Sequence, residues 1–261
     1  MTEKEFFHKW IGKVIEFTDP NEQSAWKLEA KYSDKNDQST AEAYNQVDID
    51  PVDYGAPSGA YGTFRCRRTD EPHDVAAIRV IMQIPYAGSE YAVYAERTRQ
   101  ATDVLTGIAS SEIKMLQALR QNQVEATPAI RAFEALQQAD DGLVPRGFLY
   151  YILMDHATGI QLKHETFWSF DFDDRDRIRQ AFRVAWLECL GAGVYSTQDD
   201  PSHLFWDSRS SKILIAGFRR SQPAEPGNKW TDIEWLIWGL AKCPRTYQEA
   251  LENPTKDDWT L

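Results

Sequence analysis

DVAAIRVIMQIPYAG, residues 74–88, is the stretch on which the fold turns. Ala76, Ile78, Val80, Met82 and Ile84 alternate along it and share one face of a strand, while Arg79 lies on the other face beside Ala77 and Ile81. An apolar strand face has to be laid on a core, and a cation in the middle of the opposite face calls for a partner. Upstream, Gly55, Gly59 and Gly62 punctuate GAPSGAYG (55–62), which runs into TFRCRR. That pattern predicts a glycine-rich turn entering a strand, and such a turn either brings backbone N–H groups close to phosphates or is an ordinary hairpin turn. Downstream, Leu105, Ile108, Glu112, Leu116 and Leu119 fall on one helical stripe, and GFLYYILM (147–154) is an apolar strand ending at Asp155.

Before this region, Phe6, Phe7, Trp10, Ile11 and Val14 recur at helical spacing and predict an amphipathic helix over 3–16. Residues 31–58 are polar, carry Pro51 and Pro57, and read as a loosely ordered connector. After it, Ile178, Phe182, Ala185, Trp186 and Cys189 are spaced for one buried helix face. The acidic run DFDDRD (171–176) precedes that face, and Gly191 and Gly193 end it. HLFWD (203–207), SRSS and KILIAGF (212–218) predict a hairpin, and WTDIEWLIWGLA (230–241) a core helix that is apolar almost all round.

The chain has 261 residues, a net charge of −11 and nine Trp, enough to bury a substantial core. The acidic balance argues against nucleic acid and anionic membrane as main partners, since both reward clustered Lys and Arg. Arg65, Arg67 and Arg68 form a local basic stretch, but a short one. Cys66, Cys189 and Cys243 have no paired spacing and fit reduced thiols better than a disulfide framework or a zinc site. The N-terminal segment lacks the apolar stretch of a signal peptide, so the expected location is the cytoplasm.

The order of these segments, with "IMQIPYAG" (81–88) and "IRQAFRVAWLECLGAGV" (178–194), resembles the protein-kinase fold, and fungal kinase-like proteins in particular. The resemblance implies an α+β, two-lobed kinase-like fold (the kinase and aminoglycoside-phosphotransferase type) with a truncated helical C-lobe. The implied division is an N-terminal helix and connector over 1–54, a β-sheet with a helix over 55–155, and a mainly helical part over 156–261. It also implies roles. Arg79 stands where the phosphate-gripping lysine would be, with Glu112 as its ion-pair partner. Gln198 stands at the catalytic aspartate, Ser196 at the preceding histidine, His203 at a metal-binding asparagine and Gly217 at a metal-binding aspartate. An amide cannot take up a hydroxyl proton as a carboxylate does, magnesium prefers oxygen ligands, and glycine has no side chain to offer. A shift of the loop that puts Asp199 or Asp200 at the base position leaves Gly217 unchanged.

The resemblance therefore points to a pseudokinase: a binding or scaffold module without magnesium-dependent phosphoryl transfer, with no cofactor and no metal. Its expected ligand site is an interlobe cleft bounded by Arg79, Glu112, Met154, Asp155, Gln198, His203 and Gly217, suited to a small organic ligand or serving an unidentified protein partner. The alternative is a repurposed enzyme of fungal secondary metabolism, of cyclase or isomerase type, with His203 and Asp200 as acid/base groups. The other histidines (His8, His73, His156, His164) show no ligand spacing, and GAGVYS (191–196) is not a nucleophile elbow.

Overall fold

The computed structural model describes residues 4–19, 22–45, 57–197 and 200–261. The chain divides into two compact units, one made of residues 1–110 and 130–156, the other of 111–129 and 157–261.

The first unit is a β-structure. Strands β1 (Val14–Asp19), β2 (Glu22–Asn36), β3 (Ser58–Arg68), β4 (Val75–Ile84), β5 (Ile130–Gln137) and β6 (Phe148–Asp155) form one antiparallel sheet in the order β1-β2-β3-β4-β6-β5. The pairing of β2 with β3 is interrupted between Leu28 and Ala30 and again between Lys31 and Ser33, irregularities that increase local twist. The sheet curls until its two outer strands approach. There Glu134 of β5 accepts hydrogen bonds from both the backbone N–H and the hydroxyl of Thr18 in β1. The result is a nearly closed barrel, joined at the seam by side chains without a sixth ladder. Its interior is filled by Ile15, Phe17, Trp26, Leu28, Phe64, Cys66, Ala132, Leu149 and Leu153 together with Ala76, Ile78, Val80, Met82 and Ile84, the face expected from the alternation in β4.

The segment before β1 does not form the expected helix. Gly12 adopts φ +87°, a conformation that a helix does not use, and its N–H bonds to the carbonyl of Leu28. Phe6 and Phe7 instead pack into the barrel core, Phe7 edge-on to Phe64, while Ile11 and Val14 face solvent. The expected connector over 31–58 is also corrected: its first residues continue β2, and Ala41–Asn45 forms the short helix α1. Two further helices follow β4, α2 (Tyr94–Thr98) and α3 (Gly107–Gln121). On α3 the buried positions are Ala109, Glu112, Ile113, Met115, Leu116 and Leu119, and Ile108 is 36% exposed, so the stripe is turned slightly from the one expected.

In the second unit, α4 (His164–Ser169) precedes α5 (Phe172–Gly191). Asp171 caps α5, its carboxylate accepting from the N–H of Asp174 at 2.8 Å, and Ile178, Phe182, Ala185, Trp186 and Cys189 are buried as expected. The hairpin β9 (Leu204–Asp207) and β10 (Lys212–Ile215) also forms in the expected place, and β9 takes the two-residue β7 (Ile160–Gln161) on its other side. A second ribbon pairs β8 (Val194–Tyr195) with β11 (Gln222–Pro223). The Trp-rich segment forms only α6 (Ile233–Ile237), because Gly239 turns to φ +66°, and α7 (Tyr247–Glu252) follows.

These findings overturn the two-lobed kinase-like α+β fold and its truncated helical lobe. The structure is mostly β, organised around the six-stranded antiparallel barrel-like sheet. Among the described residues only α3 and α5 exceed six residues in length. The physical reason lies in β1 and β2: they extend the sheet around the apolar face of β4, so the core of the first unit is the inside of a curled sheet. Among the described residues no helix is long and apolar enough to cross a membrane.

Burial gives the three cysteines different reactivities. Cys66 and Cys189 are wholly buried, and burial pushes both thiols up to about 12, whereas Cys243 is partly exposed. A thiol reagent applied to the native protein should label Cys243 alone, and all three cysteines after unfolding in urea. Rapid native labelling at a second cysteine, read by mass spectrometry, would contradict this packing.

Candidate functional site

The residues singled out by sequence fall in both units. In the first, Arg79 sits mid-strand in β4 with 6% exposure. It donates to the hydroxyl of Thr63, its cross-strand neighbour, at 3.0 Å, and lies 5.6 Å from the centre of the Tyr61 ring. The Tyr61 hydroxyl donates to Asp37 at 2.6 Å and meets the Thr106 hydroxyl at 2.6 Å. The glycines of β3 serve this packing. A Cβ on Gly59 would come within 2.8 Å of the Tyr61 hydroxyl and 2.9 Å of the Asp37 carboxylate, and one on Gly62 within 2.7 Å of Phe64. Both glycines are strand residues making room for side chains, not the turn expected between two strands. Gly55 lies outside the described residues.

Met154 and Asp155 end β6. The Asp155 carboxylate accepts from Arg131 Nε at 2.6 Å, and the same guanidinium reaches both oxygens of Asp74 at 3.1 and 3.0 Å. Burial works against the Arg131 charge, but its bonds to Asp74 and Asp155 outweigh that and hold its pKa above the usual value. Asp155 is thus part of an ion-pair network at one end of the barrel. Sequence reading missed that network, because Arg131 and Asp74 lie on segments it had not paired. Glu112, on α3, belongs to the second unit and is 4% exposed.

Asp200, His203 and Gly217 are brought together in the second unit. Asp200 opens the 3-10 turn Pro201–His203, its carboxylate accepting from the Ser202 N–H at 2.8 Å. The turn is fastened by Gln161, which donates to the Ser202 carbonyl at 2.7 Å, and it delivers His203 directly before β9. At the end of β10 the Ala216 N–H donates to the His203 carbonyl at 2.9 Å, which sets Gly217 beneath the imidazole. A Cβ on Gly217 would lie 2.7 Å from His203 Cγ and 3.0 Å from Cε1, and closer still to Nδ1. The histidine ring occupies the space a side chain at 217 would need. Gln198 and Asp199 lie outside the described residues.

The β8–β11 ribbon is flanked by polar groups, of which sequence reading had named only Ser196. Ser196 and Ser221 are each 1% exposed, and neither hydroxyl oxygen has a hydrogen-bond partner. The Ser221 carbonyl accepts from the Ser111 hydroxyl at 2.9 Å, and that of Ser196 from the Trp186 indole at 3.3 Å. Tyr195 donates to Glu234, a carboxyl with 4% exposure. A signal for Glu234 was present: an acid between Ile233 and Trp235 in an apolar run has to be buried with them.

No protein-family model matches the chain, and no curated protein matches it.

Proposed function

We propose that this chain is a binding module that does not carry out magnesium-dependent phosphoryl transfer, and that its ligand-facing chemistry is carried by the turn Asp200–His203 and the segment that follows Gly217. The observation that carries this reading is the contact of the His203 ring with Gly217. Phosphoryl transfer depends on metal held by oxygen ligands to neutralise developing charge, and the His203–Gly217 contact offers an imidazole and no carboxylate. The segment after Gly217 continues into Arg219 and Arg220, cations that favour an anionic organic ligand over a neutral one. Asp200 has its own structural task in capping the turn.

The test is to incubate the purified chain with radiolabelled ATP and magnesium or manganese, and in parallel to record native mass spectra of the protein as purified. The expected result is no hydrolysis and no transfer. Any co-purifying mass is expected to be a small organic molecule, lost in His203→Ala. Phosphate transfer that disappears in Arg79→Ala, or a bound magnesium nucleotide, would overturn the reading.

A further inference from the structure

In the second unit the buried carboxyl of Glu234 meets one end of a chain of aromatic rings. Trp186 meets Tyr195 edge-on at 5.5 Å and Trp230 at 5.4 Å, and Trp230 meets Trp235 at 5.9 Å. Glu234 sits on α6 immediately before Trp235, with one hydrogen bond, 3.1 Å from the Tyr195 hydroxyl to Oε1, and no partner at Oε2. The charged groups on the surrounding elements make other contacts, Arg179 pairing with Asp176 at 3.5 Å although its buried Nε has no partner. Arg179 of α5 donates to the Leu240 carbonyl and lies 5.7 Å from the Phe172 ring and 6.0 Å from the Trp235 ring. Arg183, also on α5, lies over Trp230 at 5.8 Å. Lys256 lies over Trp235 at 5.2 Å and pairs with Asp232, the residue preceding α6. No cation is paired with Glu234 among the described residues.

A neutral carboxyl is tolerated in such a place. An ionised one has a single donor and no counter-charge, so water is the remaining source of hydrogen bonds. We propose that Glu234 is a pH-operated latch on this aromatic cluster: protonated, it lets α6 close on Tyr195 and the β8–β11 ribbon, and ionised, it opens α6 to water. Burial pushes its pKa up from 4.5 to about 7, with the Tyr195 hydrogen bond pulling the other way. Because the folded value is raised, the stability of the closed cluster is fully present below the ordinary carboxyl range and is lost as pH rises through about 7. Tyr195 leads directly into Ser196 and the segment carrying Asp200 and His203.

The experiment uses the full, ligand-free chain, so its outcome is independent of whether a ligand is found. Tryptophan emission and near-ultraviolet circular dichroism are followed from roughly pH 5.5 to 8.5. Expected is a reversible red shift in emission and a loss of aromatic dichroism, centred near 7. Glu234→Gln should keep the closed signals throughout. Tyr195→Phe, which removes the one bond favouring the ionised form, should move the midpoint upward. His203→Ala should leave the transition in place, separating it from imidazole titration. A flat wild-type profile, an unchanged midpoint in Tyr195→Phe, or the same transition in Glu234→Gln overturns the latch.

Discussion

Gly159→Ala should be the most damaging glycine-to-alanine change among the described residues, lowering stability by roughly 3–5 kcal/mol. Two effects add. Gly159 adopts φ +101°, which an L side chain rarely occupies, and that strain alone is worth about 1–3 kcal/mol. The new Cβ would also lie 2.6 Å from the carbonyl oxygen of Trp206, 2.8 Å from its carbon and 3.2 Å from the Asp207 nitrogen. These are backbone atoms of β9 and cannot swing aside as a side chain can. The close approach exists because Ile160 and Gln161 pair with Trp206 and Phe205, and Leu162 donates to the Leu204 carbonyl at 2.8 Å. Pushing residue 159 outward breaks those bonds and frees Gln161 from the turn it fastens. Gly191→Ala is the control: at the exposed end of α5, with nothing within 4 Å of a Cβ, it should change stability by less than about 0.5 kcal/mol. In thermal melts Gly159→Ala should fall by roughly 6–20 °C and Gly191→Ala should track the wild type. Equal melting of the two variants would show that β9 does not lie against residue 159.

Both β9 and the polar turn after it were readable from sequence, yet the fold they belong to was not. Strand β4 and helix α5 were legible because one face of each is apolar without interruption, so period alone fixed element and orientation. The hairpin β9–β10 was legible because SRSS separates two short apolar runs. Strand β2 was missed although Trp26, Leu28 and Ala30 alternate with Lys27, Glu29 and Lys31, the period of a half-buried strand, because its continuation past residue 31 is polar and reads as a connector. The charge makes sense only across strands, where Glu29 pairs with Arg65 and Arg67 of β3. Phe6, Phe7 and Trp10 happen to be spaced as on a helix, but Gly12 ends any helix there, and the rings close the barrel core. Without β1 and β2, the remaining order of strand, helix, strand and helical segment fits a two-lobed arrangement. Order along the chain does not determine how a sheet curls, and it was the curl that decided the architecture. For the site, sequence singled out His203 and Gly217 separately. Their contact needed the register of β9 with β10, which no local pattern contains.

That contact makes His203 and Gly217 a coupled pair, and a double-mutant cycle should show it. Gly217→Asp in the wild-type background forces its Cβ into the imidazole, so either His203 leaves its place or the end of β10 moves. The expected loss is about 1–3 kcal/mol, the usual range for overpacking a filled site. His203→Ala alone removes a partly exposed ring and leaves its backbone bond to Ala216 intact, so its cost should be smaller, about 0.5–1 kcal/mol. In His203→Ala/Gly217→Asp the ring is gone and the aspartate has room. The double variant should then be more stable than the sum of the two losses predicts, by about 1–2 kcal/mol. Urea unfolding of the four proteins at one pH measures the coupling directly. Strict additivity would mean that residues 203 and 217 do not touch, and with that the observation supporting the binding-module reading would be lost. A positive coupling term would instead show that the imidazole and a side chain at 217 compete for the same space.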